Sequence, residues 1–137
     1  MPHRVLIVDD EPNLLVLLQF LMETNNYQVD TATSGEAAIE AIMRAMPDLI
    51  LLDVMLPGID GYEVCEIIRL NPQWRQIKVV FLTAKGCEVD VTKGMLLGAD
   101  AYITKPFPIT AVLEKVNELL GVDSGCEGEK VKGEDKS

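Results

Sequence analysis

Two hydrophobic periods alternate along the chain. RVLIVD, from Arg4 to Asp9, carries the unbroken apolar run Val5 to Val8, as a strand covered on both faces requires. Pro12 stands where a helix can begin, and Leu14, Leu17, Leu18 and Leu21 recur at the i, i+3, i+4, i+7 spacing of one helix face. TNN ends that helix, and YQVDTA then alternates as a strand. Thr33 with Glu36 reads as a capping box opening the helix AAIEAIMRAM, which Pro47 closes. LILLD is a second apolar run and ends at Asp53. LPGIDG is turn chemistry, and Asp60 with Glu63 predicts a capped helix carrying Val64, Ile67 and Ile68. NPQWRQ is a loop, and KVVFLT is a third apolar run ending at Thr83. A helix is expected from about Val89 to Leu97, stopped by Gly98. AYIT is a short strand leading into Lys105 and Pro106, and a last helix runs from about Ile109 to Leu120, stopped by Gly121.

Strand followed by helix, five times over, predicts an α/β fold: a doubly wound parallel sheet of five strands with helices on both faces. Residues 1–121 are expected to form this one domain. Residues 122–137, VDSGCEGEKVKGEDKS, have no apolar periodicity and too little apolar surface to offset the entropy of ordering. They are expected to be a flexible polar tail.

Composition narrows the function. The chain has 137 residues, 48% of them hydrophobic, which suits one domain with a real core. Its formal net charge is −10. The tail's five acids against three lysines account for −2 of that, so the predicted domain carries −8. A nucleic-acid binder needs a basic face, so direct DNA or RNA binding is not expected. Anionic membrane surfaces are unsuited for the same reason. No apolar run approaches the ~18–20 residues of a membrane span. MPHR lacks the apolar stretch of a secretory leader, so a cytoplasmic location is expected. Cys65, Cys87 and Cys126 form no CxxC pair and are read as reduced thiols. His3 is the only histidine, which excludes a Ser-His-Asp triad within the chain.

The polar residues at the strand ends carry the chemistry. Asp9 and Asp10 end the first strand, Asp53 the third, Thr83 the fourth and Lys105 the fifth. In an open parallel sheet these ends share one edge, and ligands bind there where strand order reverses. For the order 2-1-3-4-5, the first and third strands flank that point, and Asp10 faces Asp53. Acids converging on one crevice repel and resist ionisation. A hard divalent cation such as Mg²⁺ relieves this, because it takes oxygen ligands and needs only one or two protein carboxylates. Lys105 suits a phosphoryl oxygen as a point charge. Thr83 offers a hydroxyl, and Asp53 can act as a carboxylate nucleophile. Acids at one strand end are more often a solvated loop. The weight rests on four strand ends delivering complementary groups to one edge.

VLIVDDEP, PDLILLDVMLPGIDGYEV, VVFLTA and GADAYITKPF together resemble the response-regulator receiver domain of two-component signalling, over about residues 3–121. The resemblance implies a flavodoxin-like sheet in the order 2-1-3-4-5. It implies that Asp53 is the phospho-acceptor and that the donor is a phosphohistidine on a histidine kinase or phosphotransfer protein. Asp10, Asp53 and the backbone carbonyl of Met55 would ligate Mg²⁺, with Asp9 acting through a metal-bound water. Lys105 would pair with the phosphoryl group. Thr83 would turn inward to it, and Tyr102 would follow as a switch. Pro106 would follow a cis peptide. The face built by the fourth helix, fifth strand and fifth helix would then engage a downstream protein effector or a second copy of the chain. Val91, Leu96, Ala101 and Ala111 stand where receivers joined to winged-helix domains usually carry charges, which argues against a charged symmetric dimer.

Three rival functions are weaker. An aspartate-nucleophile phosphatase would carry a second acid two residues after Asp53, where Met55 stands. A flavin or nucleotide binder needs a Gly- or Ser/Thr-rich loop after the first strand, where DDEPN is acidic. A degenerate receiver acting only as a binding module would not need the full set of acids, hydroxyl and lysine.

Overall fold

The computed structural model describes residues 3–84, 98–105 and 107–122. Strand β1 (Arg4–Val8) leads into helix α1 (Pro12–Thr24), β2 (Gln28–Ala32), α2 (Gly35–Arg44) and β3 (Leu49–Asp53). Helix α3 (Gly61–Leu70), β4 (Lys78–Ala84), β5 (Ala101–Lys105) and α4 (Ile109–Leu120) complete the described elements. The five strands form one sheet in the order β2-β1-β3-β4-β5, and every pair is parallel. This is the predicted doubly wound architecture. The helix expected near Val89 to Leu97 and the peptide before Pro106 lie outside the described residues.

The continuous apolar runs are strands because helices cover both sheet faces. One layer packs Leu6, Ile50, Leu52, Val79 and Phe81 against α2 and α3. The other packs Val5, Ile7, Leu49, Leu51, Val80 and Leu82 against α1 and α4. All five residues of β3 are buried, as a strand at the centre of the order must be. Helices return antiparallel to the strands, so their N-termini meet the C-terminal edge of the sheet.

Pro12 opens α1 as expected, but Leu17 is 52% exposed and faces water. The buried face is Leu15, Leu18 and Met22. Val16, Leu17 and Phe20 make the outer face apolar as well, so periodicity could not choose between the two. Ser34, not Thr33, caps α2, its hydroxyl accepting from the Ala37 N–H at 3.1 Å. The predicted Asp60–Glu63 capping box is present on α3. Gly121 ends α4 in the left-handed conformation, and the Val122 N–H closes that end on the Asn117 carbonyl at 2.8 Å.

Candidate functional site

Backbone placement brings the predicted acids together. β1 and β3 are adjacent with Val8 beside Leu52, so Asp9 and Asp53 leave neighbouring strands at the same edge. The Asp9 N–H donates to the Ala32 carbonyl at 3.1 Å, which extends the ladder to β2 by one residue and points the next two outward. Asp9 is fully buried, Asp53 is 5% exposed and Asp10 is open to solvent. One carboxylate oxygen from each of the three lies within 4.8 Å of the others.

Each buried acid is held locally. Asp9 accepts from the Glu11 N–H at 2.9 Å, and Asp53 accepts from the Met55 N–H at 3.2 Å. α3 begins hard against this loop. The Gly61 N–H donates to the Val54 carbonyl at 3.0 Å, and a Cβ on Gly61 would sit 2.4 Å from the Asp53 carbonyl oxygen. Only glycine lets the helix start there.

The fifth strand supplies the cation. Lys105, beside Ala84 at the end of β4, donates to Asp9 Oδ2 at 2.9 Å and lies 3.7 Å from Asp53 Oδ2. The resemblance implies a phosphoryl partner for Lys105 and a water-mediated role for Asp9. The direct Lys105–Asp9 pair, 96 residues apart, has no spacing signature. Thr83 lies one residue beyond Leu82, the β4 partner of Asp53, so its backbone reaches the same edge. Tyr102 is half-buried on β5 beside Phe81 and packs on the α2/α3 side of the sheet.

The charges do not balance. The Asp53 carboxyl is pushed up from its ordinary 3.8 to about 6. Burial is the main cause, the negative charge of Asp9 comes next, and Asp10 adds a smaller push. Lys105 and the Met55 N–H oppose it and lose. For Lys105 itself burial favours the neutral form. The hydrogen bond to Asp9 and the charges of Asp53, Asp9 and Glu11 outweigh that and raise its pKa. Three oxygen ligands with surplus negative charge are the donor set that a hard divalent cation prefers. The cluster therefore fits a metal of the Mg²⁺ class.

A 2-1-3-4-5 parallel sheet with an acid cluster and a lysine at its C-terminal edge defines a flavodoxin-like domain with a charged site at its strand ends. Residues 5–117 match the response regulator receiver domain family, and the chain belongs to it. Response regulators are signalling proteins that interact with histidine kinases and downstream effectors. Over 120 residues the chain is 44% identical to the alkaline phosphatase synthesis transcriptional regulatory protein PhoP of Bacillus subtilis, covering 88% of this chain and 49% of that one. It is 36% identical to the phosphate regulon transcriptional regulatory protein PhoB of Rhizobium meliloti, covering 85% of this chain and 52% of that one. The chain thus spans about half the length of these curated relatives. Among solved structures it resembles the chemotaxis response regulator CheY4 of Vibrio cholerae, with a TM-score of 0.82 at 25% identity over 87% of this chain and 99% of that one.

Proposed function

We propose that Asp53 accepts a phosphoryl group from a phosphohistidine on a histidine kinase or phosphotransfer protein. The observation that carries this reading is the convergence of Asp9, Asp10 and Asp53 with Lys105 at one sheet edge. An Asp53 carboxylate oxygen attacks phosphorus as the P–N bond breaks, and the electron pair stays on the imidazole nitrogen. Phosphoryl transfer needs positioning and charge neutralisation more than covalent help from the protein. Asp10, Asp53 and the Met55 carbonyl would hold Mg²⁺, with Asp9 in support. Bound there, the cation offsets charge on the phosphoryl oxygens. Lys105 leaves Asp9 for a phosphoryl oxygen. The Asp53 N-terminal neighbours on β3 are buried, so the nucleophile is fixed from below.

Thr83 and Tyr102 pass the change to the face that the resemblance assigns to the fourth helix, fifth strand and fifth helix, of which β5 and α4 are described. A downstream protein effector binds that face, and a second copy of the chain is a further candidate. The site acts as a phospho-acceptor that promotes only its own phosphorylation and dephosphorylation. It works in the cytoplasm, without direct contact to nucleic acid or membrane. Among the described residues, no helix is long and apolar enough to cross a membrane.

Acetyl phosphate supplies a direct test. Mg²⁺-dependent, acid-labile label is expected on the wild-type chain and only background on Asp53→Asn. Full label on Asp53→Asn sinks the assignment. Amide exchange with beryllofluoride tests the output face, and no change between residues 83 and 112 removes that part of the reading.

A further inference from the structure

Far from Asp53, at the N-terminal edge of the sheet, one guanidinium makes four hydrogen bonds. Arg69, in the last turn of α3, donates through Nε to the Gly98 carbonyl at 2.8 Å. Its Nη1 donates to the carbonyls of Arg75 at 2.7 Å and Ile77 at 2.8 Å. Its Nη2 meets Asp100 Oδ2 at 2.9 Å. That same carboxylate oxygen accepts from the Val79 N–H at 2.8 Å, and the Asp100 N–H returns to the Val79 carbonyl at 2.8 Å. The fit is close. Gly98 has φ +95°, and a Cβ there would lie 3.1 Å from Arg69 Nε.

The turn held this way opens β5, and β5 ends on Lys105. β5 is an edge strand paired only with β4, and none of its five residues is fully buried. Its position along the sheet therefore depends on one ladder and on how its base is anchored. The anchor stands on α3, whose first residue is pressed against the Asp53 carbonyl. Ten helical residues span about 15 Å, and five strand residues span about 16 Å. α3 and β5 are thus matched struts. One runs from the Asp53 loop down to Arg69, and the other runs from Asp100 up to Lys105.

We propose that Arg69 is a positioning residue for Lys105: by clamping the 98–100 turn to the end of α3, it fixes how far β5 reaches and where the Lys105 ammonium sits relative to Asp53. The proposal rests on the reading of Asp53 as acceptor and Lys105 as its phosphoryl partner. A planar fork holding three carbonyls and a carboxylate is a task lysine cannot take over.

The experiment is a double-mutant cycle on the initial rate of Asp53 labelling by acetyl phosphate in Mg²⁺. Arg69→Gln is expected to slow labelling about tenfold, the scale of a small misplacement of a reacting group. In a Lys105→Ala background the same change is expected to cost nothing further, because its route to the site is already gone. A role confined to stability would leave the two effects independent. Folded Arg69→Gln that labels at the wild-type rate, or that slows labelling by the same factor with and without Lys105, overturns the proposal. Should Arg69→Gln fail to fold, Asp100→Asn runs through the same cycle with the same two outcomes. Wild-type chain that takes no label would overturn the acceptor reading itself, and label with independent effects would overturn only the role of Arg69.

Discussion

The two edges of the sheet handle charge in opposite ways. At the N-terminal edge two guanidiniums are each held by several partners. Arg4 pairs with Asp30 at 2.9 Å and also reaches Gln28, while its own N–H meets Asp48. Arg69 meets Asp100 and three carbonyls. At the C-terminal edge three carboxylates share, among the described residues, the Lys105 ammonium, and Asp53 answers by holding its proton up to about pH 6. One edge is built for stability. The other stores unfavourable electrostatics that a bound cation and a phosphoryl group can use. Perturbed titration at a cleft is a common mark of a functional site.

The sharpest way to break that contrast is to thin the acids. Asp10→Ala removes an exposed carboxylate and disturbs no buried contact. It is expected to weaken Mg²⁺ binding by about tenfold or more, since even outer-shell substitutions at metal sites cost 10–100-fold. Labelling by acetyl phosphate should slow with it. Wild-type Mg²⁺ dependence in Asp10→Ala would show that the cluster is not the metal site.

Next come two substitutions of opposite sign. Asp53 binds its proton more tightly folded than unfolded, so between about pH 4 and 6 the native state carries more protons. Stability then falls as pH rises through that window, and above it the cost is about 3 kcal/mol as an upper figure. Asp53→Asn should therefore melt higher than wild type at pH 7.5, and the difference should shrink towards zero near pH 4. Asp100→Ala should do the reverse and destabilise by about 1–3 kcal/mol, because it leaves Arg69 Nη2 and the Val79 N–H without their acceptor. Thermal unfolding of both variants across pH 4–7.5 measures this. A pH-independent gain in Asp53→Asn would show that the site stores no such strain.

The same contrast explains what the sequence disclosed. Strands and their polar ends were legible because a parallel sheet buries both faces and leaves unbroken apolar runs, as in LILLD. Side chains that meet across the sheet were not. Arg69 grips backbone carbonyls, which every residue has, and the Lys105–Asp9 pair joins opposite ends of the chain. On α1, Leu14, Leu18 and Leu21 pack on the core as expected, and Leu17 alone does not, because Val16, Leu17 and Phe20 blur the period. Ser34 was missed because Thr33, beside it, carries the same hydroxyl chemistry.

The smallest expected effect concerns residues 123–137, which lie outside the described residues. Their sequence offers no apolar stripe to dock on the domain, and their charge, −2, adds little to either end. The described chain closes one residue earlier. The Val122 N–H caps the Asn117 carbonyl at 2.8 Å, and Gly121 supplies the left-handed turn. A chain ending at Val122 should keep that cap, melt within about 0.5 kcal/mol of the full chain and take acetyl phosphate label at the same rate. A chain ending at Gly121 loses the cap bond and should melt slightly lower, by about 0.5–1.5 kcal/mol. Equal stability of the two shortened chains would remove Val122 from the domain. A large loss in both would show that residues 123–137 pack on it.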